Sequence, residues 1–97
     1  MIRHIVCWDF INKNEETLDK AKKAQEMLND LNGKIEGLMD IECIIDLLSS
    51  SNADMMLDST LIDVEALNSY QTHPLHLEVA KIIKEICTNR RCMDYEV

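Results

Sequence analysis

One proline and two glycines in 97 residues leave little material for long irregular loops, and no low-complexity stretch, linker or internal repeat breaks the chain. Two separate hydrophobic cores do not fit a chain this short, so residues 1–97 are read as one domain. No apolar run reaches the roughly 20 residues that span a bilayer. Arg3 and His4 interrupt the start where the apolar segment of a signal peptide would lie. Positive charge is scarce: ten Lys and Arg stand against 18 Asp and Glu, a net charge of −8. Nucleic acid and anionic membranes both select a basic stripe, so neither is expected as a partner. From Ile35 to Ala80 there is no Lys or Arg at all, yet apolar residues alternate with the acids, which favours a folded segment over a disordered one. No glycine loop of the phosphate-cradling kind is present, and no Cys pair has zinc-type spacing. Cys7, Cys43, Cys87 and Cys92 read as buried thiols of a reduced, cytoplasmic protein.

What is present is periodicity. Ile2 to Ile11 alternates with Ile2, His4, Val6, Trp8 and Phe10 on one face, which predicts a strand. Asn12 or Asn14 caps a helix over about Glu15–Leu31, with Glu15 and Glu16 in the first turn and a helical stripe of Leu18, Ala21, Gln25, Leu28 and Leu31, joined by Ala24 and Met27. Leu38–Leu48 and Met55–Ile62 alternate around a Ser49–Asn52 turn and predict a hairpin, the first strand turning Met39, Ile41, Cys43, Ile45 and Leu47 to one side. Asp63 caps a short helix to Tyr70, Pro74 opens another to about Thr88, and Arg90–Val97 closes as a strand. The order β-α-β-β-α-β predicts an α+β, ferredoxin-like fold with a four-stranded antiparallel sheet. Helices then cover one face only, and the other bears Ile5, Cys7, Ile11, Ile44, Met56 and Ile62, so a homodimer with facing sheets is expected. The carboxylates of Asp40, Glu42, Asp46, Asp54 and Asp58 fall on that outer face. They must reach water, pair with Arg3 or Arg91, or hold a cation.

Chemistry-bearing residues gather at one end of the predicted core. His4 starts the first strand, Tyr70 and His76 flank the corner at Pro74, and Asp94 on the last strand neighbours His4, where it would fix the imidazole tautomer. Such a set suits general acid-base work on a small molecule. The competing reading makes both histidines hydrogen-bonded core and cap residues. His73-x-x-His76 has helical spacing, but Pro74 sets His73 at the cap, so no metal site is assigned.

The opening Met1-Ile2-Arg3-His4-Ile5-Val6, the Leu31-Asn32-Gly33-Lys34-Ile35-Glu36-Gly37 turn, the Tyr70-x-x-His73-Pro74-x-His76 element and the closing Asp94-Tyr95-Glu96-Val97 resemble the stress-responsive dimeric α/β-barrel (Dabb) family. The resemblance spans the chain. It implies a dimeric α/β barrel, no cofactor, and a ligand pocket between sheet and helices to which Val6, Trp8, Leu57 and Ser59 would contribute. A plant polyketide cyclase of that family performs a cofactor-free aldol cyclisation, and its catalytic histidines and pocket tyrosine match His4, His76 and Tyr70. Trp8 is larger than its counterpart there, while Leu18, Ala21 and Ala24 replace aromatic wall residues.

Overall fold

A computed structural model describes Met1–Val97 in full. Its elements are β1 (Ile2–Phe10), α1 (Glu15–Asn29), β2 (Leu38–Ile44), β3 (Met55–Leu61), α2 (Val64–Thr72), α3 (Pro74–Ile86) and β4 (Cys87–Glu96). All strand pairs are antiparallel and the sheet order is β2-β3-β1-β4, the ferredoxin-like arrangement with the last strand at an edge. Ile2, His4, Val6 and Trp8 of β1 and Met55, Leu57, Ser59 and Leu61 of β3 are buried under the helices, as period-two patterning requires.

The caps explain the helix boundaries. Asn14 accepts from the Thr17 backbone N–H, Asp63 from that of Ala66, and His73 Nδ1 from that of Leu75 directly behind Pro74. The α1 stripe differs from expectation: Thr17 is buried and Leu18 is exposed, because the inward face runs Thr17, Ala21, Ala24, Leu28. The helix also stops at Asn29, and Leu31 is buried from the following turn. Asn29, Asn32 and Gln25 then bond the backbone of Ile41 and Cys43, which shields the β2 edge from pairing with another chain.

β2 is shorter than the alternation predicts, ending at Ile44, and a register shift between Leu38 and Asp40 turns Leu38 inward and leaves Met39 57% exposed. Gly37, at φ +83°, makes the close approach to α2 possible, since a Cβ there would lie 2.6 Å from Ala66 Cβ. α3 ends at Ile86, so Cys87 belongs to β4. β4 bulges opposite Trp8, with Asn89 at φ +53°. Asp9 braces the bulge by accepting from Asn89 Nδ2 (2.9 Å) and Arg91 Nη2 (2.7 Å).

The outer sheet face holds Ile5 beside Met93 and Cys7 beside Met56, and Met93 and Tyr95 are exposed. The acidic cluster is only partly there. Asp58 is gripped by Arg3 through two bonds of 2.6 and 2.7 Å, whereas Asp54 precedes β3, accepts from the Phe10 N–H and pairs with Lys13. Asp46 lies beyond β2, and Asp40, Glu42 and Asp46 are exposed. No helix is long and apolar enough to cross a membrane.

Candidate functional site

The pairing of β1 with β4 sets His4 directly opposite Asp94 and Val6 opposite Cys92, all on the helix-facing side. His4 is buried (1%) and its Nδ1 lies 2.5 Å from Asp94 Oδ1. A carboxylate only accepts, so Nδ1 is the donor, and in the neutral ring Nε2 is the nitrogen with the free lone pair. The Asp94 side chain is 39% exposed and closes the pair off on the solvent side.

Tyr70 and His76 stand on either side of the α2–α3 corner. The corner is tied by the His73 N–H bond to the Tyr70 carbonyl and fixed by Pro74 at the start of α3. The two rings are 4.6 Å apart between centroids, and Tyr70 meets His4 edge-on at 6.1 Å. His76 Nδ1 donates to the Gln71 carbonyl (3.1 Å), again leaving Nε2 as the free acceptor. Burial holds His76 below the ordinary imidazole value, only partly opposed by that hydrogen bond. Burial likewise pushes the Tyr70 phenol well above its ordinary value, so it is a donor at neutral pH.

Tyr70 is completely buried, and its hydroxyl has no hydrogen-bond partner. Leaving such a group unmatched costs about 1–3 kcal/mol, so buried hydroxyls are nearly always paired. The structure therefore brings His4, Tyr70, His76 and Asp94 to one end of the core, with two imidazole acceptors and one unsatisfied donor. Val6, Trp8, Leu57 and Ser59, the four residues expected to contribute to a pocket, are all buried beneath the helices, and the Ser59 hydroxyl donates to the His4 carbonyl. Trp8 borders a small cleft of about 160 Å³ with Ile83 and Cys87, and a groove of about 700 Å³ lies between Phe10, Leu18, Ile45 and Leu48 at the opposite end of β1.

Two further residues border this end of the core. Cys92 was expected to be buried, but it is exposed because β4 is an edge strand whose inner face the helices leave largely open. Its Sγ lies 3.7 Å from His4 Nδ1 and 3.6 Å from both Asp94 oxygens. The spacing Cys92-x-Asp94, read at strand period opposite His4, would have found it. Arg90 acts electrostatically on Tyr70, His76 and Cys92, a role with no local sequence signal. Cys43 and Cys87 are buried as expected, and burial pushes both thiols up to about 12, which removes them as nucleophiles.

The sequence model described as "Stress responsive A/B Barrel Domain" matches residues 2–97. The chain is similar in structure to a dimeric protein of unknown function with a ferredoxin-like fold from Bacteroides fragilis, at 28% identity and TM-score 0.91, covering 99% of this chain and 95% of the other. It is also similar to a Dabb family protein from Mesorhizobium loti, at 19% identity, TM-score 0.74 and coverage of 99% and 95%. A hydroxynitrile lyase from Passiflora edulis matches at 18% identity and TM-score 0.72, over 99% and 92% of the two chains. A search of the curated proteins finds no match.

Proposed function

The chain belongs to the stress-responsive A/B barrel domain family, and from that premise we propose that it is a homodimer whose subunits each bind a small molecule bearing an oxygen acceptor at the Tyr70 end of the core. The buried Tyr70 hydroxyl without a partner carries this reading, because a ligand oxygen there would supply the missing bond. The two Nε2 acceptors of His4 and His76 would take hydroxyl or acidic C–H groups of the same molecule. A ligand would enter along the inner face of β4, where Arg90, Cys92 and Asp94 are exposed. The dimer would bury the outer face, with Met93 and Tyr95 at 59% and 47% exposure, and the dimeric relatives support it. Four thiols with no partner suit a reducing compartment such as the cytoplasm.

The His4–Asp94 pair favours a second reading, cofactor-independent acid-base catalysis. His4 Nε2 would take a proton, Asp94 would hold the imidazolium that forms, and Tyr70 would donate to the developing oxyanion with His76 beside it. The Passiflora relative, a lyase, is consistent with such chemistry on this fold. A screen of carbonyl-bearing compounds tests both readings. Under the enzyme reading, His4→Ala and His76→Ala each abolish turnover of a hit without unfolding the dimer, and unchanged turnover in both variants refutes it. Under the binding reading, hits bind without turnover and lose affinity in Tyr70→Phe. Light scattering across a dilution series that shows only an 11 kDa species refutes the dimer.

A further inference from the structure

Three different donor atoms converge where β1 meets β4. Cys92 and Asp94 are two residues apart and leave the same face of β4, and strand register sets His4 opposite Asp94. His4 Nδ1, Cys92 Sγ and an Asp94 carboxylate oxygen all lie within 4.8 Å of one another. We propose that these three residues form a site for a borderline-soft divalent cation, Zn²⁺ in particular, with a fourth position left for water or an exogenous ligand.

The donor set argues against hard cations, since Mg²⁺ and Ca²⁺ take oxygen ligands whereas thiolate and imidazole suit Zn²⁺. The geometry is close to what the ion needs. Tetrahedral zinc with bonds of about 2.0–2.3 Å spaces sulfur from nitrogen or oxygen by roughly 3.5–3.6 Å, and nitrogen from oxygen by roughly 3.3–3.4 Å. Both sulfur edges already stand at 3.7 and 3.6 Å. Only the His4–Asp94 edge, now 2.5 Å and hydrogen-bonded, has to open. Asp94 can make that movement, because its side chain is 39% exposed on an edge strand while the His4 side chain, at 2%, is held in place. Binding releases the thiol proton to solvent and moves the His4 proton from Nδ1 to Nε2. The loaded protein therefore lacks the Nε2 base, so cation binding and acid-base chemistry are alternative states of one ring. The site does not depend on the acid-base reading.

Metal-free protein titrated with Co²⁺ is expected to bind one equivalent per chain and to develop a near-ultraviolet thiolate-to-cobalt band that Zn²⁺ displaces. Equilibrium dialysis then gives the Zn²⁺ affinity. Cys92→Ser is expected to remove the band and weaken Zn²⁺ binding at least about tenfold, the smaller end of what even supporting contacts to a metal are worth. Cys7→Ser alters the half-buried thiol on the outer face and is expected to change neither. Asp94→Asn is expected to keep the band and weaken binding. No band at millimolar Co²⁺, or a band and stoichiometry that survive Cys92→Ser, overturns the proposal.

Discussion

Tyr70→Phe isolates the unsatisfied hydroxyl from everything else its side chain does. The ring is fully buried at the end of α2 and contacts the His76 ring at 4.6 Å and His4 at 6.1 Å, and phenylalanine keeps both arrangements and nearly the whole volume. What it removes is one oxygen with no partner. A buried hydroxyl left unpaired costs about 1–3 kcal/mol, so the variant is expected to be more stable than the parent by about 1 kcal/mol or more. For a domain of about this size each kcal/mol raises Tm by about 4–8 °C. The same change should weaken ligand binding, since a neutral hydrogen bond contributes about 0.5–1.5 kcal/mol, or roughly two- to twelvefold in affinity. Urea unfolding followed by fluorescence, at matched chain concentrations because a dimer's stability depends on concentration, measures the first effect. A Tyr70→Phe protein destabilised by 1 kcal/mol or more, about the net value of one hydrogen bond, would show instead that the hydroxyl is already satisfied in the free protein.

Gly37→Ala and Gly33→Ala both place a Cβ at positive φ, but only Gly37 meets a neighbour, at 2.6 Å from Ala66 Cβ. Urea midpoints should show a loss of about 2–4 kcal/mol for Gly37→Ala, strain plus overpacking, against about 1 kcal/mol for Gly33→Ala. Arg3 holds the Asp58 carboxyl below its ordinary range, chiefly through their hydrogen bonds. The resulting stability is fully present above the unfolded-state value of about 3.9 and is lost as pH falls through the lower folded value, so an Asp58→Asn variant should converge with the parent in strong acid. His76 works in the same pH direction by another cause. Its folded value lies below that of a free imidazole because burial disfavours the cation, so stability is full above about 6.5 and declines as pH falls below it; His76→Gln should remove that decline.

Period-two alternation located β1 and β3 and chose their buried faces, and Asn14, Asp63 and Pro74 marked the helix starts because capping is a local interaction. The juxtaposition of His4 and Asp94 was also legible, since adjacency of first and last strands follows from topology. Where the reading failed, a longer-range cause decided. Met39 turned outward because a bulge shifted the register, which alternation cannot foresee. Leu18 lost the inward position to Thr17 because an α-helix rotates by 100° per residue and a stripe of small residues fits α1 closely to its neighbours. Cys92 was taken as core because patterning reports a face and not whether a helix covers it at the sheet edge.

Whether a ligand seats an oxygen on the Tyr70 hydroxyl and its donor groups on His4 and His76 is tested most directly by nuclear magnetic resonance of protein labelled at its histidine and tyrosine rings, titrated with a library of carbonyl- and hydroxyl-bearing fragments. Hits are expected that shift the His4 and His76 ring resonances and that weaken in Tyr70→Phe. Hits that instead map to the groove of Phe10, Leu18 and Leu48 and bind Tyr70→Phe as well as the parent would contradict it.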